Sequence, residues 1–266
     1  MKIHDLTSFL ETIAPLHLQE GYDNAGLIVG DPQAEIRGVL FCLDSTEAVI
    51  DEAINRGCNV VVAHHPIVFR GLKKLNGKNY VERAVIKAIK NDIAIYAIHT
   101  NLDNVLRDGV NSKIAERLGL KNGQILSIKK DNPAGQNPEI GAGLLGELPE
   151  PMGELEFLAF LKEKMGAGVV RHTALLNRKI SRVAVCGGSG SFLLGAAISQ
   201  KADVFVTADY KYHEFFDADG EVLIADIGHY ESEQFTINLL HGLCERNFST
   251  FALLLTETRT NPVFYF

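Results

Sequence analysis

The sequence predicts an α/β protein made of two lobes, each with a mainly parallel central sheet covered by helices. Short apolar runs with strand character alternate along the chain with segments of helical periodicity. The strand-like runs are apolar on both faces, which is typical of parallel strands with helices on each side. The pattern weakens between Lys121 and Gly153 and then resumes, which fits two lobes better than one continuous sheet.

The first half of the chain contains three predicted strands and four predicted helices. The strands cover 39–43, 59–63 and 93–98, and the helices cover 5–14, 46–56, 80–91 and 109–118. We expect Gly57 to end the helix over 46–56.

The second half repeats this alternation after a polar, turn-rich segment at 131–138, which predicts an exposed loop. Helices are predicted over 154–164, 192–200 and 232–246, and strands over 182–186, 203–207 and 222–227. A last strand-like run at 251–255 could return to the first lobe.

The composition argues against several classes of protein, including nucleic-acid binders and membrane proteins. Of 266 residues, 46% are hydrophobic and 22% are charged, as in ordinary globular proteins. The formal net charge of −7 argues against a general nucleic-acid or anionic-membrane binder, since both need a basic face. No apolar run approaches the roughly 20 residues of a membrane span, and the N-terminal residues lack a signal-peptide core. Four scattered cysteines without a CxxC pair indicate free thiols, so we expect a cytoplasmic protein.

Polar side chains follow three predicted strands of the first lobe. The strands end at Asp44, at His64-His65 and just before His99, with Asp103 four residues later. Ligands of open α/β sheets bind beyond the carboxyl ends of the strands, so we expect these groups at one edge. Adjacent residues of an extended segment point to opposite sides. His64 and His65 would therefore bind two neighbouring metals, or a single metal only if the chain turned.

The segment from His99 to Asp103 offers an imidazole and a carboxylate. Asp103 is the better ligand candidate, because a loop carboxylate can reach inward and its charge offsets that of a cation. His99 could orient a ligand, transfer protons as a catalytic residue, or simply pack.

A second pair, His229 and Glu233, lies at the start of a predicted helix. Residues four apart share a helix face, so this pair can hold one metal, or the carboxylate can bridge two. Three histidines and two carboxylates favour imidazole-compatible divalent metals (Zn, Fe, Mn, Co or Ni) over calcium. Five protein ligands for two ions leave positions for water, which is typical of a catalytic site.

Two further segments could handle a substrate. The run Gly187-Gly188-Ser189-Gly190 joins a strand to a helix and could present backbone N–H groups to an anion, although a tight turn explains it equally well. Lys211 and His213 follow another strand end. Lys211 could bind substrate and His213 could act as a general acid or base, with ordinary surface polarity as the alternative.

Six motifs occur in a fixed order along the chain. They are Tyr22 to Leu27 (YDNAGL), Ala63 to Pro66 (AHHP), His99 to Asp103 (HTNLD), Cys186 to Gly190, Thr207 to His213, and Gly228 to Glu233 (GHYESE). As an ordered set they resemble the Nif-three-like dinuclear metal-centre family, whose members are often named GTP cyclohydrolase I type 2 homologues. The resemblance spans about residues 5 to 262.

The resemblance implies two α/β lobes facing each other across a cleft, with two metal ions at its base. It makes the first lobe discontinuous, with residues 1–105 and 247–266, and gives 106–246 to the second lobe. Some relatives carry an additional inserted domain in mid-chain, but the weakly patterned region here is too short, so we predict that it is absent. Relatives are typically toroidal homohexamers. The implied metal ligands, with Glu233 as the bridge, are His64, His65, Asp103, His229 and Glu233.

Metal-dependent hydrolysis is the leading functional prediction. Two cations about 3.5–4 Å apart can hold a bridging hydroxide and stabilise a developing oxyanion. The family name suggests ring opening of a GTP-like nucleotide, and hydrolysis of related nucleotides, esters or amides would use the same hydroxide. The alternative is a metal-loaded toroidal scaffold, metal carrier or regulatory partner without turnover. The acidic balance argues against nucleic acid as a partner.

Overall fold

The computed structural model describes residues 1–129 and 137–266, which divide into two compact units. Unit 1 comprises Met1–Leu102 and Thr236–Pro262, and unit 2 comprises Asp103–Phe235 and Val263–Phe266. Each unit contains one sheet with helices packed on it, which confirms the predicted α/β class. Residues 131–136 of the predicted polar loop lie outside the described residues.

The strands and helices of the described residues follow in chain order. The strands are β1 (Gly26–Val29), β2 (Gly38–Asp44), β3 (Val60–His65), β4 (Ala94–Ala97), β5 (Lys121–Ile128), β6 (Gly141–Gly153), β7 (Arg171–His172), β8 (Lys179–Ser189), β9 (Val204–Ala208), β10 (Leu223–Asp226) and β11 (Ala252–Leu255). The α-helices are α1 (Ile3–Ile13), α2 (Glu47–Asn55), α3 (Tyr80–Lys90), α4 (Thr100–Asp103), α5 (Val110–Arg117), α6 (Glu154–Met165), α7 (Leu194–Ser199), α8 (His229–Glu233) and α9 (Thr236–Glu245). Short 3-10 helices cover Leu16–Leu18, Ser191–Leu193 and Tyr212–Ala218.

The sheet of unit 1 has the strand order β1-β4-β3-β2-β11. The four strands from β4 to β11 are parallel, and β1 is antiparallel to β4. The register pairs Asp44 with His65 and Ala63 with Ala97, so β2, β3 and β4 end at the same edge. This register brings together the polar residues that follow the buried strands.

Local capping explains where the helices of unit 1 begin. Thr46 accepts a hydrogen bond from the Val49 N–H at the start of α2, and Asn79 accepts one from the Glu82 N–H at the start of α3. The helix α2 ends before Gly57, whose φ of +71° is the left-handed conformation that favours glycine. Apolar residues of both helices pack with β2, β3 and β4 in one buried core.

The sheet of unit 2 has the strand order β5-β6-β8-β9-β10-β7 and is mixed rather than mainly parallel. Among the described strands of this sheet, β8, β9 and β10 run parallel, and the other pairs are antiparallel. The sequence prediction missed β5 and β6, because polar residues and Gly123 interrupt the apolar pattern of β5, and Gly141, Gly143 and Gly146 interrupt that of β6. Pairing with neighbouring strands forms these strands despite their low intrinsic preference.

The helix predicted over 232–246 is two helices, α8 and α9. The division into units falls between them, with α8 in unit 2 and α9 in unit 1. The chain passes between units at 102–103, 235–236 and 262–263, whereas the sequence prediction placed the passages at 105–106 and 246–247. Among the described residues, no helix has the length and apolar character needed to cross a membrane.

Glu52 on α2 forms hydrogen bonds with the segment that follows β11 and so connects it to the rest of unit 1. One carboxylate oxygen accepts hydrogen bonds from the hydroxyls of Thr256 (2.6 Å) and Thr258 (2.7 Å). The other accepts from Arg56 (2.7 Å) and from the Glu257 N–H (2.9 Å). Burial alone would raise the pKa of Glu52, but these donors lower it from 4.5 to about 2.

We expect Glu52→Gln to lower the free energy of unfolding by about 1.5–3 kcal/mol at neutral pH, because the donors lose a charged acceptor. The lowered pKa of Glu52 makes this contribution fully present above about pH 4.5 and lost as the pH falls through about 2. Urea unfolding of both proteins across this range should therefore show the difference shrinking. Glu116→Gln, which removes an exposed carboxylate paired with Lys113, should cost little at any pH. An undiminished Glu52→Gln effect near pH 2 would contradict the assignment.

Candidate metal centre

Three histidines of unit 1 meet at the carboxyl edge of its sheet. His64 and His65 end β3, and His99 follows β4, the neighbouring parallel strand. The ring centroids lie 4.9 Å (His64 to His65), 5.3 Å (His64 to His99) and 5.4 Å (His65 to His99) apart. Each ring offers a ligand nitrogen, and these nitrogens all lie within 4.8 Å of one another. The cluster could therefore hold a metal ion.

Hydrogen bonds at Nδ1 orient all three rings. The Nδ1 of His64 lies 2.8 Å from the carbonyl oxygen of Ile98. The Nδ1 of His65 lies 2.8 Å from a carboxylate oxygen of Asp44. Since these oxygens only accept hydrogen bonds, each Nδ1 is the donor, and Nε2 is the nitrogen at which a metal could bind. Such an arrangement favours a metal ligand, because it fixes the tautomer and the orientation of the ring.

Asp23 gives His99 the same support, and the sequence analysis did not assign it this role. One oxygen of Asp23 lies 2.8 Å from Nδ1 of His99, and the other accepts from the N–H and hydroxyl of Thr100. The Asp23 side chain is fully buried. Burial alone would raise its pKa, but the hydrogen bonds from His99 and Thr100 lower it to about 2. The available signal was its position in the YDNAGL motif.

In unit 2, His229 and Glu233 lie one turn apart on α8, as predicted from their spacing. The Nε2 of His229 is 3.1 Å from Glu233, and its Nδ1 is 2.7 Å from Asp209. Burial would lower the pKa of His229, but the charge of Glu233 and the hydrogen bond to Asp209 raise it to about 11. Without a metal, His229 is therefore protonated at neutral pH, and a cation at Nε2 would replace that proton.

Asp103 is the last residue of α4 and the first residue of unit 2, the unit that contains His229 and Glu233. The pKa of the Cys186 thiol is raised by burial and then by the charges of Asp103 and Glu233, so both carboxylates lie near this thiol. Asn111 donates to the Asp103 carbonyl (3.1 Å) and accepts from the Gly187 N–H (3.0 Å). These contacts connect Asp103 to the end of β8.

The glycine run at the end of β8 leaves room for the Glu233 side chain. A Cβ on Gly188 would lie 2.4 Å from Oε1 of Glu233, and the φ of Gly188 is +63°. A Cβ on Gly190 would lie 2.3 Å from the hydroxyl oxygen of Thr207. The Gly188 N–H donates to Ser232 (2.9 Å), and that of Gly187 is also bonded within the protein. Close packing thus accounts for the glycines. Anion binding at 187–190, including Ser189, stays a prediction. The N–H groups of Gly187 and Gly188 already donate hydrogen bonds within the protein.

Lys211 and His213 lie next to the exposed aromatic residues of the 3-10 helix Tyr212–Ala218. The His213 ring contacts those of Tyr212 (5.1 Å between centroids) and Phe216 (6.5 Å). Lys211 is 83% exposed and lies 3.7 Å from Glu214. The catalytic role of His213 and the substrate-binding role of Lys211 stay predictions.

The whole chain is similar to known proteins in sequence and in fold. Residues 1–262 match the family described as Duf34/NIF3 (NGG1p interacting factor 3). A Clostridium perfringens protein named GTP cyclohydrolase 1 type 2 homolog is 38% identical over 234 residues, covering 88% of this chain and 87% of the relative. A Staphylococcus aureus protein of the same name is 30% identical, covering 86% of this chain and 89% of the relative.

Two solved structures have nearly the same fold. A Staphylococcus aureus hypothetical protein matches with a TM-score of 0.91 at 32% identity, covering 100% of this chain and 99% of the other. A Bacillus cereus protein related to NIF3 matches with a TM-score of 0.91 at 26% identity and the same coverage.

We expect Gly188→Ala to reduce metal binding, because the new methyl group would displace Glu233. Gly57→Ala is the matched control, since its φ is also positive (+71°) but its Cβ would meet nothing within 4 Å. Both variants should lose about 1–2 kcal/mol of stability from left-handed backbone strain. Elemental analysis after reconstitution should find metal loss in Gly188→Ala alone, with thermal melts confirming that both variants fold. Equal metal contents would count against Glu233 as a ligand.

Proposed function

Because this chain belongs to the Duf34/NIF3 family, as its motifs predicted, we propose that it is a hydrolase that depends on two divalent metal ions. The observation that carries the proposal is a hydrogen-bonding pattern that four histidines of the two units share. Each of His64, His65, His99 and His229 has an acceptor oxygen at Nδ1, so Nε2 is the ring nitrogen that would bind a metal. Histidines that only pack in a core need no such common orientation.

The proposed ligands are the five residues assigned from the sequence. They combine imidazole nitrogens with carboxylate oxygens, which suits Zn, Fe, Mn, Co or Ni better than calcium. Two carboxylates also offset part of the charge of two cations. The ligands are His64, His65, Asp103, His229 and Glu233, with Glu233 as the proposed bridge.

Carboxylates next to the ligands would set the properties of the site. Asp44 and Asp209 would hold His65 and His229 in one orientation and make their Nε2 atoms more basic. Since Nδ1 of His99 is bonded to Asp23, any proton that His99 moves would be carried at Nε2. When bound, the two cations would polarise a substrate and make water a better nucleophile near neutral pH.

The proposed substrates are small molecules with a hydrolysable ring, ester or phosphoester. The names of the relatives in Clostridium and Staphylococcus favour a nucleotide opened in the manner of a GTP cyclohydrolase. The chemistry of the ligands suits each of these reactions, so the substrate must be identified by turnover.

A metal-binding scaffold without turnover is the second candidate, and it requires a surface through which copies of the chain associate. Large aromatic side chains are exposed, including Tyr212 (74%) and Phe216 (68%). Exposed apolar patches commonly mark surfaces where proteins associate. These residues therefore support the proposed homohexamer, whether or not the assembly is catalytic.

We expect metal-reconstituted protein to contain two metal ions per chain by elemental analysis. Glu233→Ala should lose both ions, because a bridging carboxylate serves each, whereas Asp103→Ala should chiefly lose one. Asp217→Ala, which removes an exposed carboxylate of the same unit, should keep both. One metal per wild-type chain, or equal small losses in the first two variants, would exclude the bridged centre.

Turnover separates the two candidate functions. Metal-loaded protein should hydrolyse at least one member of a panel of nucleotides and nitrophenyl esters. Loss of a metal ligand in His65→Ala should reduce this rate by about 100-fold or more, since a metal-activated nucleophile contributes several kcal/mol. If no compound reacts faster than with His65→Ala while wild-type protein retains its metal, the scaffold candidate replaces the hydrolase.

A further inference from the structure

The loop between β3 and α3 is basic and exposed in an otherwise acidic chain. We call residues 69–79 the basic loop. It contains no Asp or Glu, whereas the whole chain has a formal net charge of −7. Nearly all of its residues are exposed. Its cations are Arg70, Lys73, Lys74 and Lys78.

Three of these cations, unlike nearby residues of α3, form no surface ion pair in the part of the chain that the structure describes. Further along α3, Arg83 pairs with Glu47 at 2.8 Å and Lys87 pairs with Asp51 at 2.6 Å. Within residues 1–129 and 137–266, no carboxylate forms a salt bridge with Arg70, Lys73 or Lys74. Their charges are therefore available to a ligand.

A buried carboxylate holds the end of the basic loop that leads into α3. Glu82 is 7% exposed and accepts hydrogen bonds from the N–H groups of Asn76 (3.2 Å) and Lys78 (2.9 Å). It also accepts from the side-chain amide of Asn79 (3.0 Å). A loop held at one end loses less conformational entropy when it binds a ligand than an unrestrained loop would.

The other end of the basic loop contacts the histidine cluster of unit 1. The Phe69 ring packs perpendicular to that of His99, with 5.4 Å between centroids. The carbonyl of the preceding residue, Val68, accepts a hydrogen bond from Asn24 (2.7 Å). Arg70 therefore follows directly after a residue in contact with the candidate metal centre, and Lys73 and Lys74 follow four and five positions after Phe69.

We propose that the basic loop binds the phosphate groups of a polyphosphorylated small-molecule substrate. This inference rests on the proposed function, because it places the phosphate chain beside the metal-binding histidines. A single exposed ion pair contributes little and is screened by salt. Several cations on one short loop favour a ligand with several negative charges, since one ligand then forms several charge-assisted contacts. The N–H groups of Gly187 and Gly188 are already bonded, which makes the glycine run the weaker phosphate site.

The test measures tripolyphosphate binding by titration calorimetry, on the full chain with metal bound and after chelation. We expect tripolyphosphate to bind in both states and its affinity to fall steeply with added salt. Pyrophosphate should bind more weakly than tripolyphosphate, and phosphate more weakly than pyrophosphate. Lys73→Gln/Lys74→Gln should bind tripolyphosphate about tenfold more weakly, and Lys73→Arg/Lys74→Arg should bind it normally. Lys90→Gln/Lys162→Gln, which removes two exposed lysines elsewhere, is the matched control.

Three results would overturn the inference. The first is equal tripolyphosphate affinity in the Lys73→Gln/Lys74→Gln variant and the control variant. The second is binding of phosphatidylserine vesicles or single-stranded DNA that depends on Lys73 and Lys74 while tripolyphosphate does not bind. The third is a change in oligomeric state, measured by light scattering, as the sole effect of the lysine substitutions.

The same variant separates this inference from the proposed function. If tripolyphosphate binding depends on Lys73 and Lys74 but no compound is hydrolysed, the basic loop is a phosphate site and the hydrolase proposal fails. If nitrophenyl esters without phosphate are hydrolysed and the lysine variant binds tripolyphosphate normally, the hydrolase stands and the phosphate site fails.

Discussion

The candidate site depends on one repeated interaction, the hydrogen bond from a histidine Nδ1 to a fixed oxygen. In unit 1 the parallel register makes these bonds possible, because it sets Asp44 beside His65 and brings the residue after β4 to His64. An imidazole held at Nδ1 can use only Nε2 for another partner. The backbone pairing of β2, β3 and β4 thus determines side-chain chemistry beyond the ends of the strands. This explains why the cluster forms from residues far apart in sequence.

Unit 2 is governed by a different constraint, the need to accommodate buried charge. Glu233 is only 3% exposed, and an isolated buried carboxylate is costly unless it is paired or binds a cation. Here His229 stands at 3.1 Å, and Gly188 leaves space where any side chain would collide with the carboxylate. The need for glycine at 188 therefore follows from the burial of the Glu233 carboxylate beside it. A glycine run after a strand is often interpreted as a phosphate loop, but this one makes room for an acidic side chain.

Sequence periodicity predicted the elements whose apolar pattern is continuous and missed those formed by pairing. Strands β2, β3 and β4 are apolar on both faces and were predicted, whereas β5 and β6 contain glycines and polar residues and were not. The break between α8 and α9 was also missed, since residues on both sides of it continue a helical pattern. By contrast, the spacing of His229 and Glu233 correctly predicted that they share a helix face. The partner of His99, Asp23, is 76 residues away in sequence, and no local pattern indicates that pair.

The sequence by itself determined the α/β class, the family through its ordered motifs, and the residue types able to bind metal. These features follow from composition, periodicity and local spacing, which can be read from the sequence because they do not depend on contacts between distant segments. Only the tertiary structure decided which nitrogen each histidine presents, which carboxylates orient the rings, and why the glycines are required. Those properties depend on atoms from distant segments within hydrogen-bonding distance, and only packing and strand register set such distances.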